Sequence, residues 1–340
     1  MKPLILTYIA LTCLVSTAVR GETRVTFNAS GIAQVNGKPF FPIGIWTYEI
    51  TPAILNDLRS KHFNTVIGNG FKPGDVDAIY KAGMMSVPFA TKEYLPLKGH
   101  DGLLSWYVTD EPEGHGNTPD DIKKLREQLH QADPNHPGGL CHFLFDAFEK
   151  YKDGCDYVMS DNYPVTANRD VPLKNVGIHI AEAHRAHGGN FPVWAFIQIF
   201  GGPDTDGGKW AQPEPEEVRC MTFIALQQRA AAINYFSYWP KAPRTWTSIE
   251  KLNADLVALA PYVIADGEEV PVKSDDEAIW ARARKFKGGS LIFAVNTERK
   301  IVNAKISRDG EVVKGVSGKF APCEVKIQKI GKPAVVVGKR

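Results

Sequence analysis

The chain lacks the features that mark several large functional classes. Its 340 residues carry 40 basic and 38 acidic side chains, a net charge of +2. No basic run is interleaved with aromatics, so the electrostatic footprint of a nucleic-acid binder is missing. No GxxxxGK[ST] and no GxGxxG after a strand occurs, which removes the usual phosphate and dinucleotide cradles and leaves no cofactor implied. HExxH and an EF-hand loop are absent, so no metal site is expected, with a structural calcium at Asp204 and Asp206 as the alternative. No apolar run reaches the roughly 20 residues that a membrane-spanning helix needs.

The longest such run, Leu4 to about Val15, follows Lys2 and precedes the small residues Ser16, Ala18 and Gly21. That is the pattern of a secretory signal peptide over residues 1–21, cleaved after Ala18 or Gly21, and it predicts a secreted or periplasmic protein with no membrane attachment after cleavage. Cysteine is scarce. Beyond Cys13 in the leader there are Cys141, Cys155, Cys220 and Cys323. Export permits a disulfide, with Cys141 and Cys155 as the candidate pair, and buried free thiols are the alternative.

What the chain does have is ordinary globular composition, 44% hydrophobic and 23% charged, enough for a large core and a smaller second one. An Asn36-Gly37 turn marks a hairpin at the start of the mature chain. Apolar strand-like runs then begin near residues 40, 64, 84, 104, 137, 156, 192 and 232, and helical apolar spacing separates them. Thr51 with Pro52 and Thr118 with Pro119 read as helix starts. This rhythm predicts an α/β chain, a (β/α)8 TIM barrel over residues 22–264 that includes the short N-terminal hairpin. From residue 265 to 340 short alternating strands replace it, predicting a C-terminal all-β sandwich.

Barrel enzymes work at the C-terminal ends of their strands. Those ends carry Trp46, Asn69 with Gly70, Ala90, Asp110 with Glu111, His142, Asp161 with Asn162 and Tyr163, Gln198, and Tyr238 with Trp239. Carboxylates, amides and flat aromatics suit sugars, whose C–H faces stack on rings and whose hydroxyls bind polar groups. Cleaving a glycosidic bond needs a proton donor and a nucleophile or base. Glu111, in "WYVTDEP", is the candidate acid, with Asp110 tuning it; Asp161 is the candidate base. Trp46, Asn69, Tyr163, Trp194, Gln198, Tyr238 and Trp239 are candidate substrate contacts, the aromatics among them being sugar platforms or core residues. Asp204, Asp206 and Glu214, in the Gly-rich loop after the seventh strand, are further candidate acids, and His179, His184 and His187 read as exposed helix residues.

The stretches "NGKPFFPIGIW" and "WYVTDEP" resemble the clan A barrel glycoside hydrolases, whose fourth strand ends in Asn-Glu-Pro or a variant. The resemblance covers residues 36–261 and implies carbohydrate as substrate and Glu111 as acid/base. It also implies a Glu nucleophile at the end of strand seven, where this chain has Gln198. Three readings follow. Another acid completes a hydrolase; or the Asp110–Glu111 pair, which is similar to that of substrate-assisted hexosaminidases, uses the substrate's own acetamido group with help from Tyr163; or the barrel binds carbohydrate without cleaving it.

Overall fold

The computed structural model describes residues 22–331 except 69, 266 and 287. The expected signal peptide and Asn69 lie outside them. A three-stranded antiparallel sheet comes first, β1 (Val25–Phe27), β2 (Ala33–Val35) and β3 (Lys38–Phe40). Asn36 and Gly37 make its tight turn with φ of 51° and 76°, the left-handed conformation that this pair tolerates best.

Eight parallel strands follow: β4 (Ile43–Trp46), β5 (Thr65–Gly68), β6 (Met85–Pro88), β7 (Trp106–Thr109), β8 (Gly138–His142), β9 (Tyr157–Asp161), β10 (Val193–Gln198) and β11 (Ala232–Phe236). β11 pairs with β4, and bridges Ser86–Leu103 and Phe89–Tyr107 join β6 to β7, so the sheet closes into a barrel. Alternation along each strand divides the apolar residues. In β10, Val193, Ala195 and Ile197 face the surrounding helices, while Trp194 and Phe196 fill the interior with Trp46, Ile67, Val87, Tyr107 and Met159. The N-terminal sheet lies under the barrel, with the Phe27 ring 5.7 Å from that of Tyr157 at the start of β9.

The outer helices are α1 (Pro52–Ser60), α2 (Pro73–Lys81), α3 (Pro119–Ala132), the single turn α4 (Ala147–Lys150), α5 (Asn175–Ala186), α6 (Pro215–Gln227) and α7 (Pro243–Val263). The Thr51 and Thr118 hydroxyls accept from Ile54 N and Asp121 N, each at 3.2 Å, as their spacing predicts. One departure from the expected rhythm is the β6–β7 connection, which holds a 3-10 turn, Leu95–Gly99, in place of an α-helix. Another concerns the histidines of α5. His179 is fully buried and His184 is 8% exposed, because they lie on the stripe with Val176, Ile180 and Ala183 that packs inward. Burial lowers the pKa of both to about 4.

The C-terminal part is antiparallel. The short β12 (Glu269–Val270), β14 (Ile279–Phe286), β15 (Gly289–Asn296) and β20 (Val325–Gly331) form one sheet, and it is covered by small sheets of β13 (Lys273–Ser274), β17 (Ile306–Arg308) and β18 (Glu311–Val312) and of β16 (Val302–Ala304) and β19 (Gly318–Phe320). β15 belongs to both cores. Its Leu291, Phe293 and Val295 pack toward the barrel helices, and its Ile292 and Ala294 pack toward Ile306, Val316 and Phe320. The molecule is therefore a (β/α)8 barrel with a β-sandwich seated against α6. All four described cysteines are free and buried. Cys141 sits inside the barrel and Cys155 in the layer outside it, so the sheet wall separates the pair nominated from sequence.

Candidate active site

A cavity of about 740 Å³ opens at the C-terminal end of the barrel. It is lined by Asp110, Glu111 and Asp161 and by Trp46, Tyr107, Tyr163, Phe196 and Phe236, together with Trp239, Trp210, Tyr48 and Phe143.

The turn after β7 holds the acids. Glu111 has φ of 37°, a left-handed conformation that costs a residue with a Cβ about 1–2 kcal/mol. Two backbone bonds hold it there: Glu111 N donates to Cys141 O at 3.2 Å and Gly114 N to Glu111 O at 2.9 Å. Asp110 accepts from the Tyr107 hydroxyl at 2.6 Å. The third acid of the stretch has another task. Glu113 bonds His142 Nδ1 at 2.9 Å and accepts from Phe143 N, also at 2.9 Å, tying this turn to the end of β8. Burial works to raise the Glu113 pKa, but the His142 ring and the backbone N–H groups outweigh it and hold the carboxyl below its ordinary range.

Asp110, Glu111 and Asp161 go the other way. Burial raises the pKa of Asp110 against the pull of the Tyr107 hydrogen bond. Burial raises that of Glu111 too, helped by the charges of Asp110 and Glu113 and opposed by the pairing of its carboxyl with that of Asp161. Asp161, enclosed at the end of β9, is pushed well up by burial and by Glu111. Two neighbouring carboxyls with little water around them disfavour each other's ionisation, so the pair keeps a proton to higher pH than an exposed carboxyl does. Next to this pair Asn162 Oδ1 is buried with no hydrogen-bond partner among the described residues, and the buried Tyr163 hydroxyl has only the Asp161 carboxyl near enough to influence it. Such atoms suit the hydroxyl and amide groups of a ligand.

Five nominated contacts fare differently from one another. Trp46 and Trp239 line the cavity. Trp194 does not: it is 1% exposed, deep in the barrel, with its ring 4.2 Å from Tyr157. Tyr238 turns outward, donating its hydroxyl to Asp57 at 3.2 Å and packing on Trp246. Gln198 is fully buried and outside the cavity lining. Its Oε1 accepts from Val165 N at 2.9 Å, and its Nε2 donates to Val165 O at 3.1 Å, Phe200 O at 3.2 Å and Ala211 O at 3.4 Å. It is a clamp between the loops that follow β9 and β10. Of the loop acids, Asp206 lines the cavity, while Asp204 and Glu214 do not.

The sequence reading missed Tyr48, Tyr107, Phe143, Phe200, Trp210 and Phe236 in the wall. Phe236 and Tyr107 were recoverable from the inward alternation of their strands. Trp210 was not. It reaches the rim because its loop folds back, with an antiparallel bridge to Thr166 and Gly202 N donating to Trp210 O at 2.9 Å. Gly201 makes the fold-back possible: a Cβ there would lie 2.1 Å from Ala211 O. Among the described residues no group of three or more His, Cys, Asp or Glu is arranged to hold a metal ion, and no helix is long and apolar enough to cross a membrane.

No protein family and no curated protein matches the chain by sequence. Its fold does match solved structures. A GH30 endoxylanase from Clostridium papyrosolvens C71 superposes with a TM-score of 0.53 at 12% identity, covering 92% of this chain and 98% of that one. A structure described as a glycoside hydrolase gives 0.58 at 10% identity over 92% and 94% of the two chains. A family 39 glycoside hydrolase from Bacteroides cellulosilyticus WH2 gives 0.53 at 10% identity over 90% and 82%. These proteins and this chain share the (β/α)8-barrel fold.

Proposed function

We propose that the protein is an exported glycosidase that hydrolyses O-glycosidic bonds of a poly- or oligosaccharide, with Glu111 as general acid. The observation that carries this reading is the meeting of Glu111 and Asp161 in a buried, aromatic-walled cavity at the mouth of the barrel. Burial keeps a proton on the pair, and the protonated Glu111 passes it to the glycosidic oxygen as the C–O bond breaks and its electrons go to that oxygen. Trp46 and Trp239 supply faces for sugar rings; Asp161, Asn162 and Tyr163 supply polar atoms for hydroxyls.

A specific pair of observations favours substrate assistance. Gln198 is locked into a clamp, so no carboxyl occupies the usual nucleophile position, and Asp110 is fixed beside Glu111 by Tyr107. In this reading the carbonyl oxygen of a 2-acetamido group attacks the anomeric carbon while Asp110 holds the amide N–H. Water, deprotonated by the Glu111 carboxylate, then opens the ring. Inversion with Asp161 as base fits less well, because it needs a gap of about 6.5–9.5 Å for water between two carboxyls that here lie near enough to perturb each other's ionisation.

The test is sugar release from a glycan panel that includes 2-acetamido and 2-hydroxy substrates, for the wild type and Glu111→Gln. Cleavage confined to acetamido sugars supports assistance, and cleavage unaffected by Glu111→Gln removes the assignment. Saturable binding without cleavage makes the protein a carbohydrate-binding barrel instead.

A further inference from the structure

Two of the four described thiols lie together at the seam between barrel and sandwich. Cys220 projects from α6 and donates to Asn296 O, at the end of β15, at 3.3 Å. Cys323 lies in the turn before β20, where its N–H donates to Glu298 O at 3.0 Å and its Sγ lies 3.8 Å from the same oxygen. The two sulfurs thus lie against carbonyls two residues apart, at 3.3 and 3.8 Å, near enough for each thiol to shift the ionisation of the other. Asn296 braces this corner, donating from Nδ2 to Lys300 O at 2.7 Å and to Ala321 O at 2.8 Å. Cys141 and Cys155 have no such neighbour, being divided by the barrel wall.

We infer that Cys220 and Cys323 form a disulfide that joins α6 of the barrel to the sandwich when the chain folds in an oxidising compartment. Both thiols are buried, at 0% and 4% exposure, so the bond forms while the seam is still assembling. The oxidant is an external disulfide. Cys323 attacks one of its sulfurs as thiolate and expels the other half as a thiolate, leaving a mixed disulfide on Cys323. Cys220 then loses its proton and attacks Cys323 Sγ, expelling the second half. Two protein S–H bonds are exchanged for one S–S bond, and the external disulfide becomes two thiols. The closed segment, from 220 to 323, is long, and chain-entropy arguments give long loops the larger stabilisation.

The full-length chain, unfolded and reduced, is refolded in a mixture of reduced and oxidised glutathione, alkylated without reduction and mapped by mass spectrometry. The expected result is a linked peptide pair containing Cys220 and Cys323, 2 Da lighter than the sum of its parts, with Cys13, Cys141 and Cys155 alkylated. Reductant should lower the melting temperature of the wild type by about 5 °C, a shift that follows from a few kcal/mol of loop closure, and should leave Cys220→Ser and Cys323→Ser unmoved. Alkylation of all five cysteines after refolding, or a link through Cys141 or Cys155, would overturn the inference. Because the mapping uses the wild type, misfolding of either variant does not remove the test.

Discussion

The ends of β7 and β10 make an instructive pair. Each puts a long polar side chain at the mouth of the barrel, Glu111 just after one strand and Gln198 as the last residue of the other. Gln198 spends its amide on four backbone partners and has nothing left for a ligand. Glu111 lines the cavity, and among the described residues its carboxyl is paired only with that of Asp161. What separates a working group from a structural one at this depth is unspent hydrogen-bonding capacity. The same contrast recurs within one turn, where Glu113 is saturated by His142 and backbone N–H groups while Glu111, two residues earlier, is not.

Exchanging the properties of these positions tests the contrast. Glu111→Gln should have the largest effect, a loss of about 10³-fold in kcat on a substrate with a poor leaving group, or about 4 kcal/mol; product release measured at saturating substrate decides it. Gln198→Glu should give no gain in activity and cost about 3 kcal/mol of stability, since a carboxylate would face the carbonyls of Val165, Phe200 and Ala211. Urea unfolding measures the cost, and a rise in cleavage would break the comparison.

Asp110→Asn should act through Glu111 as well as directly, lowering kcat by about tenfold to a hundredfold. Its charge helps to raise the Glu111 pKa. Glu111 works protonated, so activity is present below its raised pKa and lost as pH rises through it; removing the Asp110 charge moves that alkaline limb to lower pH. A pH–rate profile checks the direction. Trp239→Ala should have the smallest effect, raising KM about fivefold with kcat nearly unchanged, as expected for one stacking face worth about 1 kcal/mol.

Much of the barrel was readable because it rests on local signals. The Thr51 and Thr118 caps, the Asn36-Gly37 turn and the apolar runs each act within a few residues. The Glu111 position follows from counting strands. What escaped depends on depth and on distant partners. Trp194 faces inward as alternation requires, yet it precedes the strand end by four residues, roughly 13 Å below the mouth at about 3.3 Å per residue. Tyr238 was drawn off the site by Asp57, 181 positions away in the chain. Gln198 looked like a failed nucleophile because the carbonyls that occupy it come from loops whose return path has no sequence periodicity. The α5 histidines read as exposed because polar type was weighed over the stripe they share with Val176 and Ile180.

The loop that follows β10 has a further consequence for how a substrate would meet the site. Ala167 N to Lys209 O at 2.9 Å, Ala211 N to Val165 O at 3.0 Å and the Gln198 amide stitch it to its neighbour before any ligand arrives. The wall carrying Trp210 is thus an arch set during folding. An incoming sugar need not immobilise it, so the ordering entropy that a floppy lid would charge against affinity does not fall on the encounter. Recognition at this rim is closer to docking on a fixed surface than to closure around a guest.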